Sequence, residues 1–304
     1  MFHVKHVNME TLVVCPVCGS SALLPFLPVT DHFLSKQVFF IQTCVTCGFK
    51  FINPRPTQHE IVKYYQTNDY ISHNAEKSDL ISKTYKYARR FAIKSKYGII
   101  KSKIQGTKVL DIGCGTGEFL AYCKHKKLEV FGVEPNENAR HFAITNYKLQ
   151  VWEDLNEFVK MDYHFSCITL WHVLEHVHTL NETLATIKKI LSANGVLIIA
   201  VPNSNSYDAT YYQQYWAAYD VPRHLSHFTT SSFSRLIEKH GFILNAIKPQ
   251  YLDAFYISLL SEKYKNSQYH YIKAFFLGLW SNLVAIKNKN GTSSLIYILT
   301  SKNT

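Results

Sequence analysis

The chain has 304 residues, of which 47% are apolar and 18% charged, enough to bury the cores of about two domains of ~100–200 residues each. That balance excludes pervasive disorder, collagen and coiled coil, and the apolar stretches fall short of the ~18 uninterrupted residues of a membrane span. Lys plus Arg exceed Asp plus Glu by 33 − 22 = 11, a basic balance that permits a nucleic-acid or membrane-surface partner without requiring one. The opening residues Met1 to His6 lack the apolar core of a signal peptide, so a cytoplasmic location is the default expectation.

The first chemical signal is carried by four of the seven cysteines. Cys15 and Cys18 form one pair and Cys44 and Cys47 a second, each with two residues between the sulfurs and a glycine directly after. A tight turn aims both sulfurs of a pair at one point, and the glycine tolerates φ > 0 there. Two such knuckles predict a structural Zn²⁺ site that is closed and does no chemistry. A redox dithiol needs only one pair in a thioredoxin-like setting, which is missing; iron–sulfur ligation is the other alternative weighed. Cys114, Cys123 and Cys167 lie in apolar or glycine-rich surroundings and read as buried small hydrophobes.

Residues 1–53 therefore read as a four-cysteine zinc module, ended by the breaker Asn53-Pro54-Arg55-Pro56. Residues 54–106 read as a helical linker and cap: Thr57, with Glu60 three positions on, starts a short helix through about Gln66, and a longer helix covers about Glu76 to Lys103. Its basic residues, among them Lys77, Lys83, Lys86, Arg89, Arg90, Lys94, Lys96, Lys101 and Lys103, are taken as a solvated face in preference to a phosphate-contacting one.

From residue 107 strands and helices alternate. Strands are predicted at 108–112, 129–133, 149–152, 164–170 and 195–201, and helices at 118–126, 136–146 and 179–193. Such units imply an α/β fold, a mostly parallel sheet with helices on both faces. An aromatic-rich insertion follows at 203–221, then a helix near 230–240, a strand at 242–248, a helical insertion at 251–290 and a last strand at 294–299.

The chemical centre is the loop after the first of these strands, Asp111-Ile112-Gly113-Cys114-Gly115-Thr116-Gly117, at the place where an open α/β sheet binds nucleotides. Glu118 stands where a dinucleotide fingerprint has Gly or Ala, and no Lys-Ser/Thr pair follows, so neither a pyrophosphate loop nor a P-loop is present. Glu134 ends the second strand, where a carboxylate accepts hydrogen bonds from both hydroxyls of a ribose. Asp111 adds negative charge. The implied ligand has a ribose and a cationic part and no phosphate.

On VLDIGCGTGEF (109–119), VFGVEPN (130–136), ITLWHVLEHV (168–177), GVLIIAVPN (195–203) and DVPRHLSHFT (220–229), the sequence resembles the class I S-adenosylmethionine-dependent methyltransferases. The resemblance covers about 107–250 and implies a Rossmann-like seven-stranded sheet in residues 107–304, with 294–300 as the antiparallel strand. It further implies that Gly113, Gly115 and Gly117 wrap the methionine part of the cofactor, that Glu134 holds the ribose, that Asp154 and Leu155 flank the adenine, and that Trp171 and His172 border the sulfonium.

Methyl transfer needs nucleophile, methyl and sulfur in line, and a base only if the nucleophile carries a proton. His172, His176, His224 and His227 are all expected at the carboxyl edge of the sheet; His224 is chosen as the base or substrate-orienting residue, with His172 as the second catalytic candidate. Tyr212, Trp216, Arg223 and Tyr256 are chosen as substrate contacts, Arg223 either binding an acidic group or pinning Asp220. His172, Glu175 and His176 share one helical face. In the similar ubiquinone-pathway O-methyltransferases the matching side chains hold a divalent metal, but those enzymes have an acidic residue at the position of His172, and shaping the cofactor pocket is the preferred role here. The apolar stretch 274–286 is expected to pack on the core in preference to lying on a membrane. The expected function is methyl transfer to a small biosynthetic metabolite, with an RNA methyltransferase reading RNA through the zinc module as the alternative and a non-catalytic cofactor-binding scaffold as the third possibility. The sequence leaves the oligomeric state open.

Overall fold

The computed structural model describes residues 8–65, 80–287 and 290–302. The expected helix start at Glu76, Lys77, Gln66 as a helix end, Met1 to His6 and positions 288–289 of the 251–290 insertion lie outside these residues, as do the side chains of Lys83 and Lys86.

The N-terminal part consists of β1 (Met9–Glu10), β2 (Leu23–Thr30), β3 (Val38–Cys44), β4 (Lys50–Ile52) and β5 (Arg55–Pro56). β2 and β3 form the antiparallel hairpin that separates the two cysteine knuckles, and β4 pairs with β3. The helix expected after Thr57 is a single 3-10 turn, Ile61–Tyr65. Next comes α1 (Leu80–Lys101), the long basic helix.

The α/β part follows as β6 (Lys108–Ile112), α2 (Glu118–His125), β7 (Glu129–Val133), α3 (Glu137–Tyr147), β8 (Gln150–Trp152), α4 (Asn156–Lys160), β9 (Phe165–Trp171), α5 (Leu180–Ile190) and β10 (Leu191–Pro202). α5 stops three residues before its expected end, because Leu191 leaves the helix to pair with Phe165 of β9. After α6 (Tyr207–Tyr212) and two 3-10 turns come β11 (Ser226–His227), α7 (Thr230–Lys239), β12 (Phe242–Pro249), α8 (Asp253–Tyr264), α9 (His270–Lys287) and β13 (Ser294–Ser301).

Seven strands form one sheet in the order β12-β13-β10-β9-β6-β7-β8. β10, β9, β6, β7 and β8 are parallel neighbours, and β13 runs antiparallel to both β10 and β12. Alternate residues of each buried strand enter two different cores, as the pleat requires. Leu110, Phe131, Ile168 and Leu197 pack with α4, α5 and α7, whereas Val109, Val130, Cys167 and Ile198 pack with α1, α2 and α3. The strand order reverses between β6 and β9, so a crevice opens outside their carboxyl ends, where such sheets bind ligands.

The expected break at Asn53 is not a seam. β5 continues past it to pair with β1, and β11, from the far end of the chain, completes the sheet β11-β4-β3-β2. Cys15, Val17, Cys44, Phe49 and Phe51 share one apolar core with Phe228 and Phe233. A small cysteine-rich module has too little surface of its own to bury, and here it borrows the face of the large sheet. A third core gathers Val29, Phe39 and Ile41 with Tyr212, Trp216, Tyr219 and Ile257.

Candidate functional site

The loop after β6 is held by main-chain hydrogen bonds. Gly113 and Cys114 N–H both donate to the Val133 carbonyl, at 2.7 and 3.1 Å. Gly113, Gly115 and Gly117 all have positive φ, at 71°, 54° and 81°, which side-chain-bearing residues rarely adopt. Their surroundings differ. A Cβ on Gly113 would lie 2.4 Å from Val173 Cγ2 and one on Gly117 2.6 Å from Leu149, whereas one on Gly115 would meet nothing within 4 Å. Gly115 thus turns an open side to the crevice, and the outer two glycines let the loop press against the protein. We expect Gly113→Ala to cost about 1–3 kcal/mol from backbone strain alone, with more from the clash. Titration calorimetry should show cofactor affinity at least ~10-fold weaker; unaltered affinity would remove the loop from the binding site.

Glu134 follows β7. One carboxylate oxygen accepts from Gly115 N–H at 2.7 Å and the other from Asn136 N–H at 2.9 Å. Burial pushes its pKa up, against the pull of these N–H groups and of Arg140. Each oxygen keeps a second lone pair for a ligand hydroxyl. Asp154 and Leu155 follow β8, next along the sheet; Asp154 is exposed and accepts from Asn156 N–H at 2.8 Å.

Asp111 is buried in β6 on the α1 face and accepts from Thr169 Oγ1 at 2.6 Å. Burial raises its carboxyl to about 7, against Thr169 and the charge of Lys96. Lys96 reaches in from α1, its ammonium 4.8 Å from the centre of the Trp171 ring. Burial lowers the pKa of Lys96, opposed by Asp111 and Asp253. The Trp171 indole Nε1, at the end of β9, is buried without a hydrogen-bond acceptor. In the sequence Lys96 reads as part of a solvated face because six other basic residues share its helix, and only its neighbours three positions away, Ile93 and Ile99, hint at an inward face.

The loop after β9 holds a charged bracket. His172, at a φ of 58°, places Nδ1 3.3 Å from Glu175 Oε1 and Nε2 3.1 Å from Asp253 Oδ2, at the start of α8. Burial disfavours its charge, but the Asp253 and Glu175 carboxylates outweigh that and lift it to about 10. The two carboxylates thus favour the charged imidazole, and both ring nitrogens of this second catalytic candidate are engaged by Glu175 and Asp253. Glu175 is 0% exposed, and its second oxygen has no partner.

His176 and His224 gather beside the Glu175 carboxylate. One donor atom from each of Glu175, His176 and His224 lies within 4.8 Å of the others, so the trio that the helical-face argument drew from His172, Glu175 and His176 is rearranged. Both histidines tie Nδ1 to main-chain carbonyls, His176 to Arg223 at 3.0 Å and His224 to Ala218 at 2.8 Å. A carbonyl only accepts, so His224 Nδ1 donates and its Nε2 keeps a lone pair, whereas His176 Nδ1 also lies 2.9 Å from the Tyr65 hydroxyl. Burial lowers His176 to about 4, so it is neutral. The arrangement can hold a proton or a cation. His227 stands apart in β11, buried, its pKa pushed well down by burial.

Three of the four expected substrate contacts are structural. Tyr212 is buried, with its hydroxyl toward the Ser258 carbonyl at 3.5 Å, and the Trp216 indole donates to Asp208 at 2.7 Å. Arg223, 2% exposed, is clamped by Asp220 and Asp31 at 2.6 and 3.0 Å. The open choice between an acidic substrate group and Asp220 thus falls to Asp220, joined by Asp31. These side chains are consumed in holding the aromatic insertion to the N-terminal hairpin, although Trp216 and Arg223 also edge a small recess with His32, Phe33 and Tyr264. Tyr256 alone of the four is exposed, at 59%.

The four cysteine sulfurs converge, with Cys15 Sγ 3.6 Å from Cys47 Sγ and Cys18 Sγ 3.5 Å from Cys44 Sγ. Tetrahedral ligation by four thiolates at ~2.3 Å places sulfurs about 3.8 Å apart, close to what is found. Gly19 and Gly48 follow at φ 76° and 70° and donate to the Cys15 and Cys44 carbonyls.

The chain is similar to several known proteins. A family model described as a methyltransferase domain matches residues 73–246. A curated relative, carboxy-S-adenosyl-L-methionine synthase of Campylobacter hominis, is 28% identical over 156 residues, 47% of this chain; the chain spans 64% of that relative's length. Among solved structures, magnesium protoporphyrin IX methyltransferase of Synechocystis, with bound SAH, superposes with a TM-score of 0.52 at 11% identity, over 80% of this chain and all of that one. A SAM-dependent methyltransferase from Archaeoglobus fulgidus gives 0.48 at 23% identity, over 69% and 93%.

Proposed function

This chain belongs to the methyltransferase-domain family, and from that premise we propose that it carries a methyl group from S-adenosylmethionine to a small biosynthetic metabolite, on oxygen, nitrogen or carbon. The observation that carries the reading is the glycine loop and Glu134 at the switch point of the sheet, beside a recessed histidine cluster. When bound, the donor supplies a methyl on a positively charged sulfur. Glu134 would accept hydrogen bonds from the ribose hydroxyls, and Asp154 and Leu155 would flank the adenine. Lys96 and the Trp171 N–H, the latter buried without an acceptor, would take the carboxylate of the amino-acid part, while Asp111 would face its cationic part. The Glu175–His172–Asp253 bracket carries one net negative charge, which favours a sulfonium nearby. His224 would receive the acceptor's proton on Nε2, with Asp220 Oδ2 3.9 Å from that atom. Structural zinc at Cys15, Cys18, Cys44 and Cys47 is part of the same reading: four converging thiols suit it.

A small acceptor is favoured because the candidate base is recessed: the His224 side chain is only 13% exposed, and Glu175 behind it is sealed. RNA is the second reading, supported by the exposed Arg90, Lys94, Lys101 and Lys103 along and just beyond α1. Methyl-labelled cofactor incubated with separate metabolite, lipid and RNA fractions decides between them. Label in a small molecule is expected; label confined to RNA, with salt-dependent RNA binding, would replace this reading with the second.

A further inference from the structure

α9 is packed inside out. Its small residues Ala274, Gly278, Ser281 and Ala285, at i, i+4, i+7 and i+11, face inward, with Ser281 Oγ donating to Asp208 at 3.2 Å. A Cβ on Gly278 would lie 2.8 Å from Phe255, so α8 and α9 approach closely. The large residues point the other way. Ile272, Phe275, Phe276, Leu279, Trp280, Leu283 and Ile286 are all exposed, Trp280 at 54% and Ile286 at 65%. They line a helix about 27 Å long at 1.5 Å per residue. Isolated exposed apolar residues need no explanation, but a contiguous stripe of this size marks an interaction surface.

We propose that this face seats on the surface of an anionic lipid bilayer, as an in-plane helix. Charge selects this occupant. α9 holds no Asp or Glu. Lys273 on the helix and Lys263 and Lys265 at the end of α8 are exposed around the stripe, on a chain of net charge +11. An anionic surface answers those lysines, whereas a second copy packed face to face would bring the same lysines together with no carboxylate on the helix to meet them. Tyr269 and Tyr271, exposed at the helix start, and Trp280 have the apolar body and polar tip that settle at a headgroup boundary. The helix is not apolar and long enough to cross a membrane. The seat lies one helix from the candidate site, since Asp253, which holds His172, begins α8.

The test uses the full chain with phosphatidylcholine vesicles, with and without phosphatidylglycerol. Sedimentation with the anionic vesicles is expected, weakened by salt. Trp280, the one exposed tryptophan of four, should shift its emission to the blue and be quenched by brominated lipid. Phe275→Ser with Phe276→Ser should weaken vesicle binding at least ~10-fold while leaving melting unchanged, because both side chains are exposed. Lys263→Glu with Lys273→Glu should erase the preference for phosphatidylglycerol. Protein left in the supernatant with both vesicle types, or bound equally well after the serine changes, overturns the proposal. So does a dimer in solution that the serine changes dissociate while vesicles bind nothing.

Discussion

A strong chelator is expected to release one metal ion per chain and to lower the melting temperature of the whole protein by about 8 °C. The argument runs from the sulfurs to the shared core. In zinc-binding peptides the metal contributes about 10–16 kcal/mol of folding free energy, comparable to the ~5–15 kcal/mol net stability of a domain. Without it, four thiols within 4.8 Å have no common partner. The loss cannot stay local, because Cys15, Cys44, Phe49 and Phe51 pack in one cluster with Phe228, Phe233 and Leu184. A transmitted loss of ~5 kcal/mol shifts melting by roughly 8 °C in a chain of 304 residues, at ~2.1 cal/mol/K of unfolding entropy per residue. Cys44→Ser should act like the chelator. Chelated protein that melts and binds cofactor as before would show that the cysteines hold nothing the fold depends on.

What could be read in the sequence was local. Two cysteine knuckles, three alternating glycines and a carboxylate at the end of the next strand each declare themselves within a few residues, because turn geometry and close backbone approach demand specific residue types at fixed spacing. What could not be read was long-range pairing. Nothing near His172 announces Asp253, and nothing near Arg223 announces Asp31. The i, i+3, i+4 rule put His172, Glu175 and His176 on one face, but that segment is a 3-10 turn, Leu174–His176, and Asp253 draws His172 aside. The aromatic density of 207–219 signalled a wall of some kind without saying whether ligand or protein stood against it. In α9, Ser281 interrupts an apolar run. It is the inward face, and composition alone cannot say which stripe of a mostly apolar helix is buried.

His224→Ala is expected to lower kcat by ~10²–10⁴, the usual contribution of a positioned general base, with cofactor affinity unchanged within about twofold. The split follows from position. His224 reaches the site from the loop after the aromatic insertion, its Nδ1 held by the Ala218 carbonyl, and it makes no contact with the glycine loop or Glu134 that would tie it to the donor. Added imidazole should restore part of the rate, because the alanine leaves space where the ring stood. Glu175→Gln should instead leave His172 short of one carboxylate and lower its pKa from about 10. Its loss in kcat should resist imidazole, since no base has been removed. His172→Asn should free Asp253 and loosen the start of α8, raising KM with little change in rate per bound substrate. If kcat of His224→Ala stays within about threefold of the parent, the acceptor needs no base, and the convergence of Glu175, His176 and His224 serves a cation or the shape of the pocket.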